Sequence, residues 1–344
     1  MPFSPTELEH PIVQAPMGGG ASTPALAAAV SDAGGLGFLA AAYLAADAVR
    51  ADVKSLRELT PRPFGINLLA PPQPVPDPGA VERYARALAA RYGFDLGAPR
   101  HDDDGWDEKL ALVVELRVPV VAFTFGCPEP EVVARLHEAG ATVWITVTTA
   151  REARVAERAG ADALVVQGVE AGGHRATFDD TAPHDLGLLA ALQLVAAASA
   201  LPLVATGGLA TGRSVAAVLA AGAVAAQVGT AFMLAPESAT AEAHRQAIAS
   251  DGDTALTRAF TGRTARGIVN RFQHEHTPGA PLGYPDVHYV TAPLRRAARE
   301  RGDAGGFHLW AGQAHSLAEP LPAGELVRRL AADARAALRA AADR

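Results

Sequence analysis

Residues 167–174 read Gln-Gly-Val-Glu-Ala-Gly-Gly-His and directly follow the short apolar run Ala163–Val166. A polar amide, a glycine-rich turn and a histidine are thereby presented at the end of a buried strand, which is where an α/β barrel keeps its chemistry. The pattern recurs downstream. Leu201–Val204 leads into Ala205-Thr206-Gly207-Gly208, and Gln227-Val228-Gly229-Thr230 follows at the spacing of a further βα repeat.

Working outward from this stretch, eight short apolar or β-branched runs recur: Ile12–Ala15, Leu36–Ala40, Phe64–Leu68, Val118–Phe123, Thr142–Val147, Ala163–Val166, Leu203–Thr206 and Ala225–Val228. Between them lie segments with helical spacing: Pro24–Ala33, Ala45–Leu59, Glu129–Ala139, Thr149–Ala159, Asp185–Ala198 and Gly212–Ala221. The strands are apolar throughout, as expected when helices cover the sheet on one side and a core fills the other. Strand, helix, strand at this spacing implies right-handed βαβ units. The pattern fits a (β/α)8 TIM barrel better than a doubly wound open sheet, which spacing alone leaves open.

Two segments interrupt the repeat. Pro71–Asp107 opens with PPQPVPDPG and carries the acidic cluster Asp102–Asp104. It reads as a surface excursion with one helix around Val81–Tyr92, the acidic cluster being a solvated loop. Residues 236–322 are rich in Arg, His, Tyr and Gly with little strand pattern, and read as a mostly helical insertion domain that closes over the barrel mouth and faces the substrate. The expected organisation is a barrel from 1–235 and 323–344, ending in a helix over Gly324–Ala342, with the insertion at 236–322.

The chain has 344 residues, 49% hydrophobic and 19% charged, which is enough for a large core. Its formal net charge of −7 provides no basic footprint for nucleic acid. Cys127 is the only cysteine, so no intramolecular disulfide and no multi-thiolate zinc site is possible. The opening MPFSPTELEH has no signal-peptide pattern, and no apolar stretch approaches the roughly 20 residues that span a bilayer. A cytoplasmic protein without membrane or nucleic-acid partners is expected, and a homodimer is compatible with the sequence.

Glycines after the last two barrel strands suit a phosphate, because backbone N–H groups approach its oxygens where no Cβ intervenes and a helix N-terminus adds partial positive charge. Gly207, Gly208, Gly229 and Thr230 fill that role. His174 is the histidine placed just beyond a strand, with Gly172 and Gly173 leaving room beside it for a flat ligand, and its ordinary pKa suits proton transfer near neutrality. The other histidines, His184 among them, are scattered or lie in the insertion. His274 and His276 stand in a loop-like HEH without a matching carboxylate pattern, so no metal is assigned. Cys127 has no adjacent base and reads as a small core or loop residue.

Eight ordered pieces spanning nearly the whole chain carry a resemblance: PIVQAPMGGGAS (11–22), PFGINLL (63–69), FTFGCP (123–128), QGVEAGGHRATF (167–178), LVATGGLATG (203–212), QVGTAFM (227–233), FTGRTARGIVNRF (260–272) and LWAGQ (309–313). Together the chain resembles the nitronate monooxygenases, formerly 2-nitropropane dioxygenases. The resemblance implies an FMN-dependent TIM barrel that oxidises alkyl nitronates with molecular oxygen to carbonyl compounds and nitrite. It further implies FMN contacts from Asn67, Gln167, Gly172, Gly208 and Gln227–Thr230, with Met17 and Gly18 on the flavin face and Thr146 nearby. His174 would then stabilise the nitronate, or act as base on a neutral nitroalkane. Ala176 departs from the glycine many members carry two residues after the histidine. Tyr284, His288, Tyr289 and Trp310 are candidate substrate walls, since aromatic groups line flat pockets. The rival readings are an FMN-dependent NAD(P)H-using enoyl-thioester or quinone reductase on the same scaffold, and a flavin-binding barrel without turnover.

Overall fold

Eight parallel strands close around a common axis in a computed structural model that describes residues 3–93, 95–182 and 185–343. They are β1 (Ile12–Gln14), β2 (Gly37–Ala40), β3 (Phe64–Leu69), β4 (Val120–Thr124), β5 (Thr142–Val147), β6 (Ala163–Gln167), β8 (Leu203–Thr206) and β9 (Ala225–Val228). Their order is β1-β9-β8-β6-β5-β4-β3-β2, and a parallel bridge from Val13 to Leu36 joins the two ends. Each begins and ends within two residues of the run read from sequence. His184 lies outside the described residues.

The helices between them are α1 (Pro24–Asp32), α2 (Ala46–Leu59), α3 (Pro78–Tyr92), α4 (Trp106–Glu115), α5 (Pro130–Glu138), α6 (Ala150–Ala159), α7 (Leu188–Ala196) and α8 (Gly212–Ala220). Thr23, Thr149 and Thr211 cap α1, α6 and α8 by accepting backbone N–H bonds in the first turn. The pleat sorts the strand residues into two cores. Val120, Ala122, Trp144, Ala163, Val165, Val204 and Ala225 fill the barrel interior, whereas Val121, Phe123, Val143, Ile145, Leu164, Val166, Ala205, Ala226 and Val228 pack outward against the helices. The inward position at the C-terminal end of several strands is polar instead: Asn67, Thr124, Thr146, Gln167, Thr206 and Gln227 face the mouth. In register, Gln167 lies beside Thr206 and Thr206 beside Gln227.

Beyond β9 come α9 (Glu242–Ile248), strands β10 (Thr254–Thr257) and β11 (Ala265–Ile268), α10 (Arg271–His276) and α11 (Asp286–Glu300), before α12 (Ala323–Ala342) returns to pack on α8 and α1. This segment is mainly helical, but β10 and β11 correct the expectation of little strand. The two form an antiparallel sheet with the two-residue β7 (Gly173–His174), so β11 pairs Ala265 with His174. The HEH triplet is the last turn of α10 and not a loop. α4 also went unread, as did the anchoring of the excursion: Tyr84 donates to Ala259 O at 2.8 Å, and Arg100 lies over the Tyr289 ring at 3.9 Å. No described helix is long and apolar enough to cross a membrane.

Candidate active site

A cavity of about 610 Å³ opens at the C-terminal ends of the barrel strands, within the range of about 300–1,000 Å³ usual for cofactor and ligand sites. Its barrel side brings together Met17, Gly18, Asn67, Thr146, Gln167, Gly172, Gly173, His174, Gly207, Gly208, Gln227, Gly229 and Thr230. His288 and Trp310 line it from the covering segment. Two expected residues do not. Val228 follows Gln227, and the pleat turns its side chain outward into the helix-packing core. Tyr289 follows His288 on α11, about 100° further round the helix, and its ring lies under Arg100 outside the cavity. Tyr284 stands behind the lining, its ring 6.0 Å from that of His174.

The amides differ in what they have left to offer. Asn67 Oδ1 accepts from Thr124 Oγ1 at 2.8 Å, which leaves its N–H groups for a ligand. Gln167 is largely committed to holding the loop that follows it: Nε2 donates to His174 O at 3.1 Å, while Oε1 accepts from Arg175 Nη1 at 2.8 Å and Ala176 N at 2.9 Å. Arg175, fully buried, also donates to Gly168 O at 2.9 Å. Ala176 therefore sits in a stitched segment, buried and hydrogen-bonded.

His174 is held on two sides. Its backbone pairs with β11, and its Nε2 lies 2.9 Å from Thr261 Oγ1. Among the described residues Nδ1 has no hydrogen-bond partner, so it is the ring atom left for a ligand. Phe125 and Trp310 flank the ring at 5.5 and 5.6 Å. Burial, then the Arg263 and Arg295 guanidiniums, push its pKa down to about 3, so the ring is neutral near pH 7. Arg263 lies over the Phe125 ring at 3.8 Å and donates to the carbonyl oxygens of Arg175 and Thr177. Arg295 donates to Thr291 Oγ1 at 2.9 Å and His288 O at 2.8 Å. Neither guanidinium has a carboxylate within ion-pair distance among the described residues, and Arg296 and Arg299 add charge at the cavity's exposed rim. Glu300 shares that rim, so three guanidiniums face one carboxylate among the lining side chains, a balance that favours an anion.

Sequence reasoning missed Tyr43, Phe125, Thr261, Arg263 and Arg295. Thr206 had a signal, as a polar end on an apolar strand. The arginines had none, because nothing in their spacing distinguishes a buried guanidinium from a solvated one. Among the described residues no three His, Cys, Asp or Glu side chains gather as a metal site. Cys127 is half-buried, and burial raises its thiol pKa to about 11, which leaves it a poor nucleophile.

Buried neutral histidines make the fold acid-sensitive. Burial drives His174 to about 3, His288 to about 2 and His244 to about 4, and His308 also falls well below its ordinary value of 6.5. Below pH 6.5 the unfolded chain takes protons that the folded chain refuses, so stability falls with pH from about 6.5 towards 4. Urea midpoints should be clearly lower at pH 5 than at pH 7.5. Equal midpoints would show that these histidines are charged in the native state.

A parallel barrel with a deep cavity at its strand ends, floored by amides and glycine turns and rimmed by arginines, defines a TIM-barrel enzyme with a cofactor-sized cavity at the strand ends. The nitronate monooxygenase family model matches residues 4–333. A nitronate monooxygenase of Pseudomonas aeruginosa is 42% identical, over 95% of this chain and 97% of its own. Among solved structures, the nitroalkane oxidase of Streptomyces ansochromogenes matches with a TM-score of 0.94 and 53% identity over 97% and 98% of the two chains. FabK of Thermotoga maritima matches at 0.78 and 28%, over 98% and 96%. The chain belongs to the nitronate monooxygenase family, a family of flavin-dependent enzymes.

Proposed function

We propose that this chain oxidises small alkyl nitronates with molecular oxygen, using FMN, to carbonyl compounds and nitrite. The observation that carries this reading is the neutral His174 held at the cavity wall beside two guanidiniums that lack carboxylate partners. That environment favours a small anion over a neutral molecule.

The residues present fit FMN. Gly208 has φ +67°, and a Cβ there would come 2.9 Å from Glu170 Cβ, so the turn after β8 is built for a residue without a side chain. Gly229 and Thr230 stand at the adjacent strand end, where phosphate is commonly bound in such barrels. Asn67, Thr146 and Gln227 would address the polar edge of the flavin ring, with Met17 and Gly18 against its face. When bound, FMN supplies the electron acceptor that nitronate oxidation requires. His174 would orient the nitronate through Nδ1, while Arg295 would hold its negative charge, Arg263 would add positive field from behind the Phe125 ring, and Phe125 and Trp310 would keep water from the reacting carbon. A small-molecule substrate and oxygen suffice for this scheme.

The FMN-dependent reductase reading has less support, since FabK shares fewer residues and superposes less closely than the nitroalkane oxidase. Anaerobic stopped-flow mixing separates them. Ethyl nitronate should bleach the flavin absorbance within the turnover time, and NADH should not. Rapid bleaching by NADH with no response to nitronate would overturn the proposal.

A further inference from the structure

Tyr43 follows β2 with φ +65°, a left-handed conformation that residues with a Cβ rarely adopt. Such outliers persist only where the surroundings over-determine them. The restraint comes from the excursion. Tyr43 N donates to Asp104 Oδ1 at 2.8 Å, while Asp104 Oδ2 pairs with Lys109 Nζ at 2.7 Å. Lys109 is 3% exposed and also donates to Ala41 O at 2.9 Å. One carboxylate and one ammonium thus bracket residues 41–43. Asp104 is itself fixed, its N–H donating to Asp102 Oδ1 at 2.8 Å. This corrects the reading of Asp102–Asp104 as a solvated loop at one position: Asp103 is exposed, but Asp104 is partly buried and its ion pair is nearly dry.

What is held is a wall of the cavity. The Tyr43 ring stacks on His288 at 4.1 Å and 10°, and its hydroxyl lies 3.2 Å from that of Tyr284. His288 O in turn accepts from Arg295, and Tyr284 edges towards His174. Phe125, at φ +77° and left-handed like Tyr43 and Asp104, belongs to the same apolar patch as Ala42, Leu69, Tyr43 and Tyr284.

We infer that Asp104, paired with Lys109, is a positioning residue for Tyr43, and that the Tyr43–His288 wall it fixes, backed by Tyr284, limits the length of the substituent a nitronate substrate carries. The substrate part rests on the nitronate reading above. Without the Asp104 acceptor, residue 43 is free to relax to negative φ, which swings its ring off His288 and opens the chamber beside His174.

Two double variants isolate the acceptor from the buried charge. Asp104→Asn with Lys109→Met keeps an Oδ1 acceptor for Tyr43 N–H, whereas Asp104→Ala with Lys109→Met does not, and both lack the ion pair. The alanine variant should raise KM for ethyl nitronate about 10-fold with kcat within about 3-fold. It should also raise the hexyl-to-ethyl nitronate ratio of kcat/KM by about 3-fold or more. The asparagine variant should keep the wild-type chain-length preference. Identical ratios in both variants would overturn the inference. Should the alanine variant fail to fold, a crystal structure of the asparagine variant decides: Tyr43 at positive φ and stacked on His288 supports the inference, and a displaced ring sinks it. Wild-type protein inert to nitronates would defeat the functional reading, leaving the crystal structure to judge the positioning of Tyr43 by itself.

Discussion

His174→Ala is expected to lower kcat/KM for ethyl nitronate about 100-fold, or about 2.7 kcal/mol of transition-state stabilisation, with flavin content unchanged. Among the described residues the ring is the one imidazole held by both a strand pairing and a side-chain bond at the cavity wall, through Ala265 and Thr261. With its pKa pushed down to about 3 it is a weak base. Burial causes most of that shift, and the two guanidiniums add to it. A nitronate brings negative charge that counters Arg263 and Arg295 and needs no deprotonation, whereas a neutral nitroalkane brings none and must lose a proton. The wild type should therefore turn over ethyl nitronate much faster than nitroethane at pH 7, and His174→Ala should leave no measurable rate on nitroethane. Steady-state kinetics on both substrates tests this. A variant whose kcat/KM for ethyl nitronate stays within about 3-fold of wild type would remove His174 from the reaction.

The barrel was legible because its strands are short, apolar and separated by helical spacing, and because backbone periodicity is a local property. The ring of polar strand ends was partly legible: Gln167 directly follows an apolar run, whereas Asn67, Thr146 and Gln227 stand within theirs and owe their assignment to the family resemblance. Errors arose where neighbours in sequence were taken for neighbours in space. Val228 and Tyr289 each adjoin a residue that does line the cavity, and each points elsewhere because a strand alternates and a helix advances about 100° per residue. Asp104 looked solvated because three consecutive aspartates usually are, and its partner Lys109 is identified only once α4 turns back on the loop. Arg263 and Arg295 lie in the segment expected to close over the barrel mouth, but only tertiary packing picks them out from its other arginines and places them beside His174. The pairing of β7 with β11 is also tertiary, since a strand of two residues leaves no periodicity to read.

Gly208→Ala is expected to yield a purified protein with less than about a tenth of the wild-type flavin, measured by absorbance after gel filtration. Two costs coincide at this position. The left-handed backbone penalises any Cβ by about 1 kcal/mol, and the added atom would stand 2.9 Å from Glu170 Cβ, closer than such atoms pack. Glu170 has little freedom to yield, because its carboxylate accepts from Leu188 N at the start of α7 and its carbonyl accepts from Gln313 N. The strain must then move the turn itself, and with it the backbone proposed to face the flavin phosphate. Since each 1.4 kcal/mol is a factor of ten in affinity, a displacement worth about 2 to 3 kcal/mol is enough to lose the cofactor during purification. Gly93→Ala is the control. Gly93 also has positive φ, at the end of α3, but a Cβ there meets nothing within 4 Å. It should lose about 1 kcal/mol of stability while keeping its flavin. If Gly208→Ala retains full flavin at unchanged stability, the turn after β8 does not hold the phosphate and the cofactor must be anchored elsewhere in the cavity.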